Sequence, residues 1–139
     1  MGEALGGVRT VSKKMPCELV VFELLPTARG AIAKELVERY GYTQSSVAKM
    51  FGITSAAISQ YVKGLRGGNV YVDNSEYRDQ FYERISAIAD RLSEGADLSI
   101  ELCKLCSFFK KSGMIDEIYR NQGSASPLSV CRECPRNNI

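Results

Sequence analysis

The chain has 139 residues, 45% of them apolar, no histidine, five cysteines and a formal net charge of +2. That length suits one small domain with an extension, and the apolar content supports a core and argues against general disorder. No apolar run approaches the roughly 18 residues of a membrane helix, and the first residues lack a secretory signal's apolar stretch, so a cytoplasmic protein with reduced thiols is expected.

Residues 1–15 are Gly-rich with three basic side chains and read as an arm. "PCELVVFELLP" suits a helix of two to three turns that starts at Pro16 and is stopped by Pro26. Its Val-Val-Phe run would also suit a short strand, and the helix is preferred. "TARGAIAKELVERYG" is a clearer helix. Thr27 is its expected cap, Ala28, Ala31, Ile32, Leu36, Val37 and Tyr40 recur at helical spacing, and Gly41 follows the last turn.

"TQSSVAKMFGITSAAISQYVKGLRGG" then reads as two short helices, Gln44 to Phe51 and Ser55 to about Gly64, joined by a tight turn. Gly52 can take the positive φ such a turn needs. Ala48 is small where the helices cross, Thr54 can cap the second helix, and Val47, Phe51, Ile53, Ile58 and Tyr61 face inward. A helix from about Ser75 to Ser93 follows, with Asn74 as cap, a stripe of Phe81, Ile85, Ile88, Ala89 and Leu92, and Gly95 as terminator. Another begins after Asp97 and runs to about Ser112, ended by Gly113. "MIDEIYRNQG" adds a short helical turn, "SASPLSV" is loop-like, and the last residues are "CRECPRNNI". There is no internal repeat. The expected fold class is all-α: an arm over 1–15, a two-helix-motif domain over 16–72, a helical element over 73–97 and a cysteine-rich region over 98–139.

Charge divides along the chain. Thr27 to Val72 carries six basic and two acidic residues, a balance of +4, whereas Asp73 to Asp97 carries seven acidic and three basic, a balance of −4. A basic segment beside an acidic one fits a molecule of which one part meets a polyanion.

Small residue, Gly and core positions in the two-helix stretch agree with a DNA-binding helix-turn-helix. In that arrangement the second helix enters the major groove and presents its N-terminal residues to base edges. Ser55, Ala56, Ser59 and Gln60 then face outward, with Thr54 at the helix start and Lys63 a turn further. Gln60 can make a two-pronged contact to adenine, Ser55 or Ser59 can bond several edges, and Ala56 or Ala57 can touch a thymine methyl. Gln44 and Ser45 should meet phosphate, and Lys49, Lys63 and Arg66 should neutralise it. With no Arg on this face, guanine contacts should be few.

On these residues, "LVERYGYTQSSVAKMFGITSAAISQYVKGLRG" resembles the lambda-repressor/Cro type of helix-turn-helix regulator. With the preceding "PCELVVFELLPTARGAIAKELVERYG", and more loosely with "ELCKLCSFFKKSG", it is similar to short archaeal predicted transcriptional regulators. The resemblance implies binding to double-stranded DNA. Such domains usually bind as dimers. The stripe of the 75–93 helix, with Tyr77, Phe81, Tyr82 and Ile85 at one end, is either a dimer surface or part of the chain's own core.

The remaining signal is sulfur. Cys103 and Cys106 lie three apart on a predicted helix, hence on one face, and Leu98, Leu102, Leu105 and Phe109 form a neighbouring apolar stripe. Cys131 and Cys134 repeat the spacing after 24 intervening residues. Four thiolates in two pairs suit an all-cysteine zinc site or an iron–sulfur cluster. The helical first pair and the Pro after Cys134 favour iron–sulfur, with a 4Fe-4S cluster slightly ahead and zinc as the alternative. Cys17 is a core residue, a neighbour of the cluster or a substitute ligand. The expected function is a dimeric regulator whose cluster senses redox state, oxygen or iron, its loss releasing residues 114–139. The alternatives are a zinc-stabilised regulator without sensing, or an antitoxin-like adaptor that docks a partner. No phosphate loop, nucleophile–His pair or apolar carboxylate pair suggests an enzyme, and no small-molecule substrate is evident.

Overall fold

The computed structural model describes residues 16–63 and 70–121, and every described element is helical. In chain order these are α1 (Pro16–Leu19), a π-helical segment (Val20–Leu24), α2 (Leu25–Glu38), α3 (Gln44–Phe51), α4 (Ser55–Val62), α5 (Val70–Asp73), α6 (Arg78–Ser93), α7 (Leu98–Lys111) and α8 (Met114–Asn121). The class is all-α, as expected. The 1–15 arm, Gly64, Arg66, "SASPLSV", Cys131 and Cys134 lie outside the described residues.

The first departure from expectation is at Pro26. It does not stop the first helix, because α1, the π segment and α2 follow without a break and Pro26 sits in the first turn of α2. A proline in an α-helix cannot bond the carbonyl four residues back, and its ring collides with it. Here the turn before it is widened: Leu25 N–H bonds Val20 O, an i to i+5 register. Thr27 is accordingly no cap. It is buried inside the helix, and its hydroxyl donates to Glu23 O at 2.8 Å. The helix also ends at Glu38, ahead of Tyr40, and Gly41 follows with φ +71°.

α2 is the central helix. It packs on α3, α4 and α6. Ala28, Ile32, Ala33 and Leu36 are fully buried and meet a core that includes Val47, Ile58, Phe81, Ile85 and Ala89. Polar contacts line the α2–α6 seam. Glu35 accepts from Ser86 at 3.0 Å and from Arg39 at 2.7 Å, and Tyr40 donates to Asp90 at 3.2 Å.

The stretch between 70 and 78 also differs from expectation. Asn74 caps nothing, and α6 begins three residues late, at Arg78. A short helix, α5, occupies 70–73, and the connecting turn is held by Ser75, whose hydroxyl oxygen accepts from Tyr77 N–H at 2.9 Å. The buried stripe of α6 is the one read from sequence. Phe81 and Ile85 are spent in the chain's own core, with Phe81 stacked 6.0 Å from Phe109.

α6 and α7 form a hairpin. Gly95 takes φ +101°, with Gly95 N–H on Leu92 O and Ala96 N–H on Arg91 O, and Asp97 caps α7 by accepting from Ile100 N–H at 3.1 Å. The short helical turn expected at "MIDEIYRNQG" is the two-turn helix α8, and it is packed into the core. Its Met114, Ile115, Ile118 and Tyr119 are all buried. Release of α8 would therefore have to open the core.

Candidate functional site

Two places draw attention: the α3–α4 pair and the thiol-bearing face of α7. α3 begins at Thr43, whose Oγ1 accepts from Ser46 N–H at 3.0 Å while the Ser46 hydroxyl returns to Thr43 O at 2.9 Å. Sequence reading missed this cap, although a Thr directly before the first periodic residue is its usual signal. At the other end Gly52 has φ +70°, Gly52 N–H bonds Lys49 O and Ile53 N–H bonds Ala48 O. This paired closure uses the Ala48 and Lys49 carbonyls and turns the chain sharply. Thr54 then caps α4, its Oγ1 accepting from Ala57 N–H at 3.1 Å. Both helices are thus closed by side chains and one glycine within a dozen residues.

The pair is held from below. Val47, Ala48, Phe51, Ile58 and Tyr61 are buried and Ile53 is partly so, as their spacing predicted. α4 packs against both α3 and α2, which fixes its orientation on the body. The opposite face is polar and open. Ser45, Lys49, Thr54, Ser55, Ala56, Gln60 and Lys63 are exposed, while Gln44, Ala57 and Ser59 are half-buried. No carboxylate occurs between Gln44 and Lys63. This surface offers hydroxyl, amide and methyl groups at the start of α4, flanked by two ammonium groups.

The second place is α7. Cys103 is exposed and Cys106 half-buried against the core, and the spacing of three sets both thiols on one face. Leu102, Leu105 and Phe109 are buried beside them, as expected, and so is Phe108, which the stripe read from sequence omitted. Neither thiol is in a disulfide, nor is Cys17, which stands half-buried on α1. Among the described residues no cluster of three or more candidate ligands is assembled. Cys103 and Cys106 fit one half of a four-thiolate set by donor type, spacing and access.

Two carboxylates are buried in this half of the protein. Glu101, 3% exposed, accepts from Arg91 Nε at 2.9 Å and Nη2 at 2.7 Å, and Lys104 stands 3.6 Å from its other oxygen. The Arg91 hydrogen bond holds the Glu101 carboxyl below the usual carboxylate range against the opposing effect of burial. Glu117, also 3% exposed, accepts from the Ser75 hydroxyl at 2.5 Å and Glu76 N–H at 2.7 Å. Sequence alone did not mark either residue, since a Glu on a helix usually faces water. Among the described residues no helix is long and apolar enough to cross a membrane.

Compared with protein-family models, curated proteins and solved structures, the chain matches none of them.

Proposed function

We propose that the protein is a sequence-specific, DNA-binding transcriptional regulator in which α3, the Gly52 turn and α4 form a helix-turn-helix of the lambda-repressor/Cro kind. The observation that carries this reading is the α3–α4 unit itself. A left-handed Gly52 joins two side-chain-capped helices, the inward residues are buried and the N-terminal face of α4 is open and free of carboxylates. Such a face suits entry into a major groove, where Ser55, Ala56, Ser59 and Gln60 would meet base edges. Gln44, Ser45, Lys49, Lys63 and Arg66 would meet phosphate, and Thr54 would chiefly hold the helix start in place.

The test is selection of bound duplexes from a random pool, followed by gel retardation across a salt series. Gln60→Ala should cost about 1–3 kcal/mol on the selected site and relax preference at one position. Lys49→Ala should weaken all duplexes alike and lower the salt slope by about one. A pool that yields no enriched sequence, or a Gln60→Ala protein with unaltered preference, would refute the assignment.

The same proposal includes a dimer on paired half-sites and an iron–sulfur cluster on Cys103, Cys106, Cys131 and Cys134, with zinc as the alternative metal. A cluster there would supply a redox-sensitive link between α7 and the chain end, and the residues it would tether begin after α8. Support comes from the accessible pair of thiols on α7 and from the matching pair in sequence. Purification without oxygen, metal analysis and visible absorption decide between iron and zinc. Metal-free protein from the oxygen-free preparation would remove the site.

A further inference from the structure

Between α6 and α7 lies a groove of about 380 Å³ lined by Gln80, Arg84, Lys104, Ser107, Phe108, Lys111 and Ser112. Three of these side chains are cationic, three carry amide or hydroxyl donors, and none is a carboxylate. Arg84 is positioned by the buried Phe108 ring, its guanidinium carbon 4.2 Å from the ring centroid. Lys104 leans toward Glu101 at 3.6 Å, but its side chain is 64% exposed and can turn into the groove. Glu101 itself is already bonded to Arg91, so little of its charge is left to cancel the groove.

We propose that this groove binds a compact phosphorylated small molecule, a phosphate monoester or diphosphate of about nucleotide size. Guanidinium, ammonium and hydroxyl donors lining one groove that has no carboxylate in its own lining are the recognition chemistry of phosphate oxygens. The volume lies in the range of small-molecule pockets, roughly 300–1,000 Å³. The surroundings disfavour a long polyanion. Asp79 and Glu83 are exposed on α6, and Glu76 just before it, so a nucleic-acid strand continuing past the groove would run along carboxylates. A compact ligand held by Arg84, Lys104 and Lys111 would meet fewer of these carboxylates than a strand running along α6. The site lies apart from the α4 face and gives the acidic half of the chain a separate role.

Isotope-labelled full-length protein is titrated with inorganic pyrophosphate at about 0.15 M salt, followed by backbone amide shifts. Saturable shifts at Gln80, Arg84, Ser107 and Ser112, at submillimolar probe, are expected. Arg84→Gln/Lys111→Gln should weaken binding at least about tenfold, the loss expected from removing charge-assisted contacts, whereas Lys49→Gln should leave it unchanged. Lys104→Gln/Lys111→Gln, both at exposed positions, serves if loss of Arg84 disturbs folding. No saturation by about 10 mM, equal affinity in the variants, or shifts confined to Ser55–Lys63 would overturn the proposal. A random-sequence duplex that shifts the same groove amides more strongly than pyrophosphate would also overturn it, in favour of DNA.

Discussion

Glu117 should be the most sensitive single residue for the attachment of α8. Its carboxylate accepts from Ser75 Oγ at 2.5 Å and Glu76 N–H at 2.7 Å, Ser75 Oγ accepts from Tyr77 N–H at 2.9 Å, and the Tyr77 hydroxyl donates to Ser112 O at 3.0 Å. One chain of hydrogen bonds therefore fastens α8 to the turn before α6 and the turn after α7. Glu117→Gln keeps the shape but replaces one accepting oxygen with an amide donor. The Ser75 hydroxyl can reorient toward such a group, but the Glu76 N–H cannot become an acceptor. The glutamine oxygen can still accept from Glu76 N–H, so the loss is the excess of charge-assisted bonds (about 1.5–3 kcal/mol) over neutral ones (about 0.5–1.5 kcal/mol), about 1–2 kcal/mol. At roughly 4 °C per kcal/mol for a domain near 100 residues, Tm should fall by about 4–8 °C. Urea unfolding measures the loss, and hydrogen exchange should rise first at 114–121, before the body of α2. A Glu117→Gln protein within about 0.5 kcal/mol of the parent, as for an ordinary surface change, would show that the buried carboxylate does not hold α8.

Three further outcomes follow from the geometry. Gly52→Ala should cost about 1–2 kcal/mol from the left-handed backbone alone, because an added Cβ there meets nothing within 4 Å. Gly113→Ala should cost more by equilibrium unfolding, since its Cβ would lie 3.0 Å from the Tyr77 hydroxyl oxygen. That excess should shrink in a Tyr77→Phe background, and an unchanged excess would refute the contact. Glu101 has a folded carboxyl pKa below its unfolded value of about 4.3. Its stabilisation is therefore fully present above that value and is lost as pH falls through the depressed folded one. The stability gap between the parent and Glu101→Gln should close in acid, and a gap that stays constant would exclude the ion pair with Arg91 as its cause.

Local chemistry explains what could be read in advance. The limits of α3, the Gly52 turn, the Thr54 cap and the start of α7 at Asp97 rest on contacts within a few residues, so the string of letters contains them. Pro26 misled because the remedy is a widened turn upstream, which depends on the whole helix being held against the core. Asn74 looked like a cap, but Ser75 and Glu117 jointly build that corner from positions 42 residues apart. The burial of α8 was hidden for the same reason: eight residues with three acidic or basic side chains resemble a surface turn until partners are present. Of the candidate site, the α4 face and the α7 thiols were legible from spacing.

The packing also constrains how a cluster on α7 could alter DNA binding, granted the proposed function. Among the described elements α7 packs on α8 and on α6, α6 packs on α2, and α2 packs on α4. The α6–α2 step is filled by fully buried groups, among them Ile32, Leu36, Phe81 and Ala89. A close-packed layer of that kind resists graded deformation, so among the described residues the path from Cys103 and Cys106 through α6 and α2 to α4 is a stiff one. The cluster would then act on how two copies are placed, and not on how one copy reads its half-site. Cys131→Ser/Cys134→Ser should therefore leave affinity for an isolated half-site unchanged within about twofold, a difference below 0.5 kcal/mol. On a full site the same variant should lose the preference for half-sites about one helical turn apart, roughly 34 Å. Retardation assays on half-site and full-site duplexes, each with several spacings, separate the two effects. An equal loss on both duplexes would mean that the thiols reach α4 within the single chain, through a rearrangement of the α2–α6 layer.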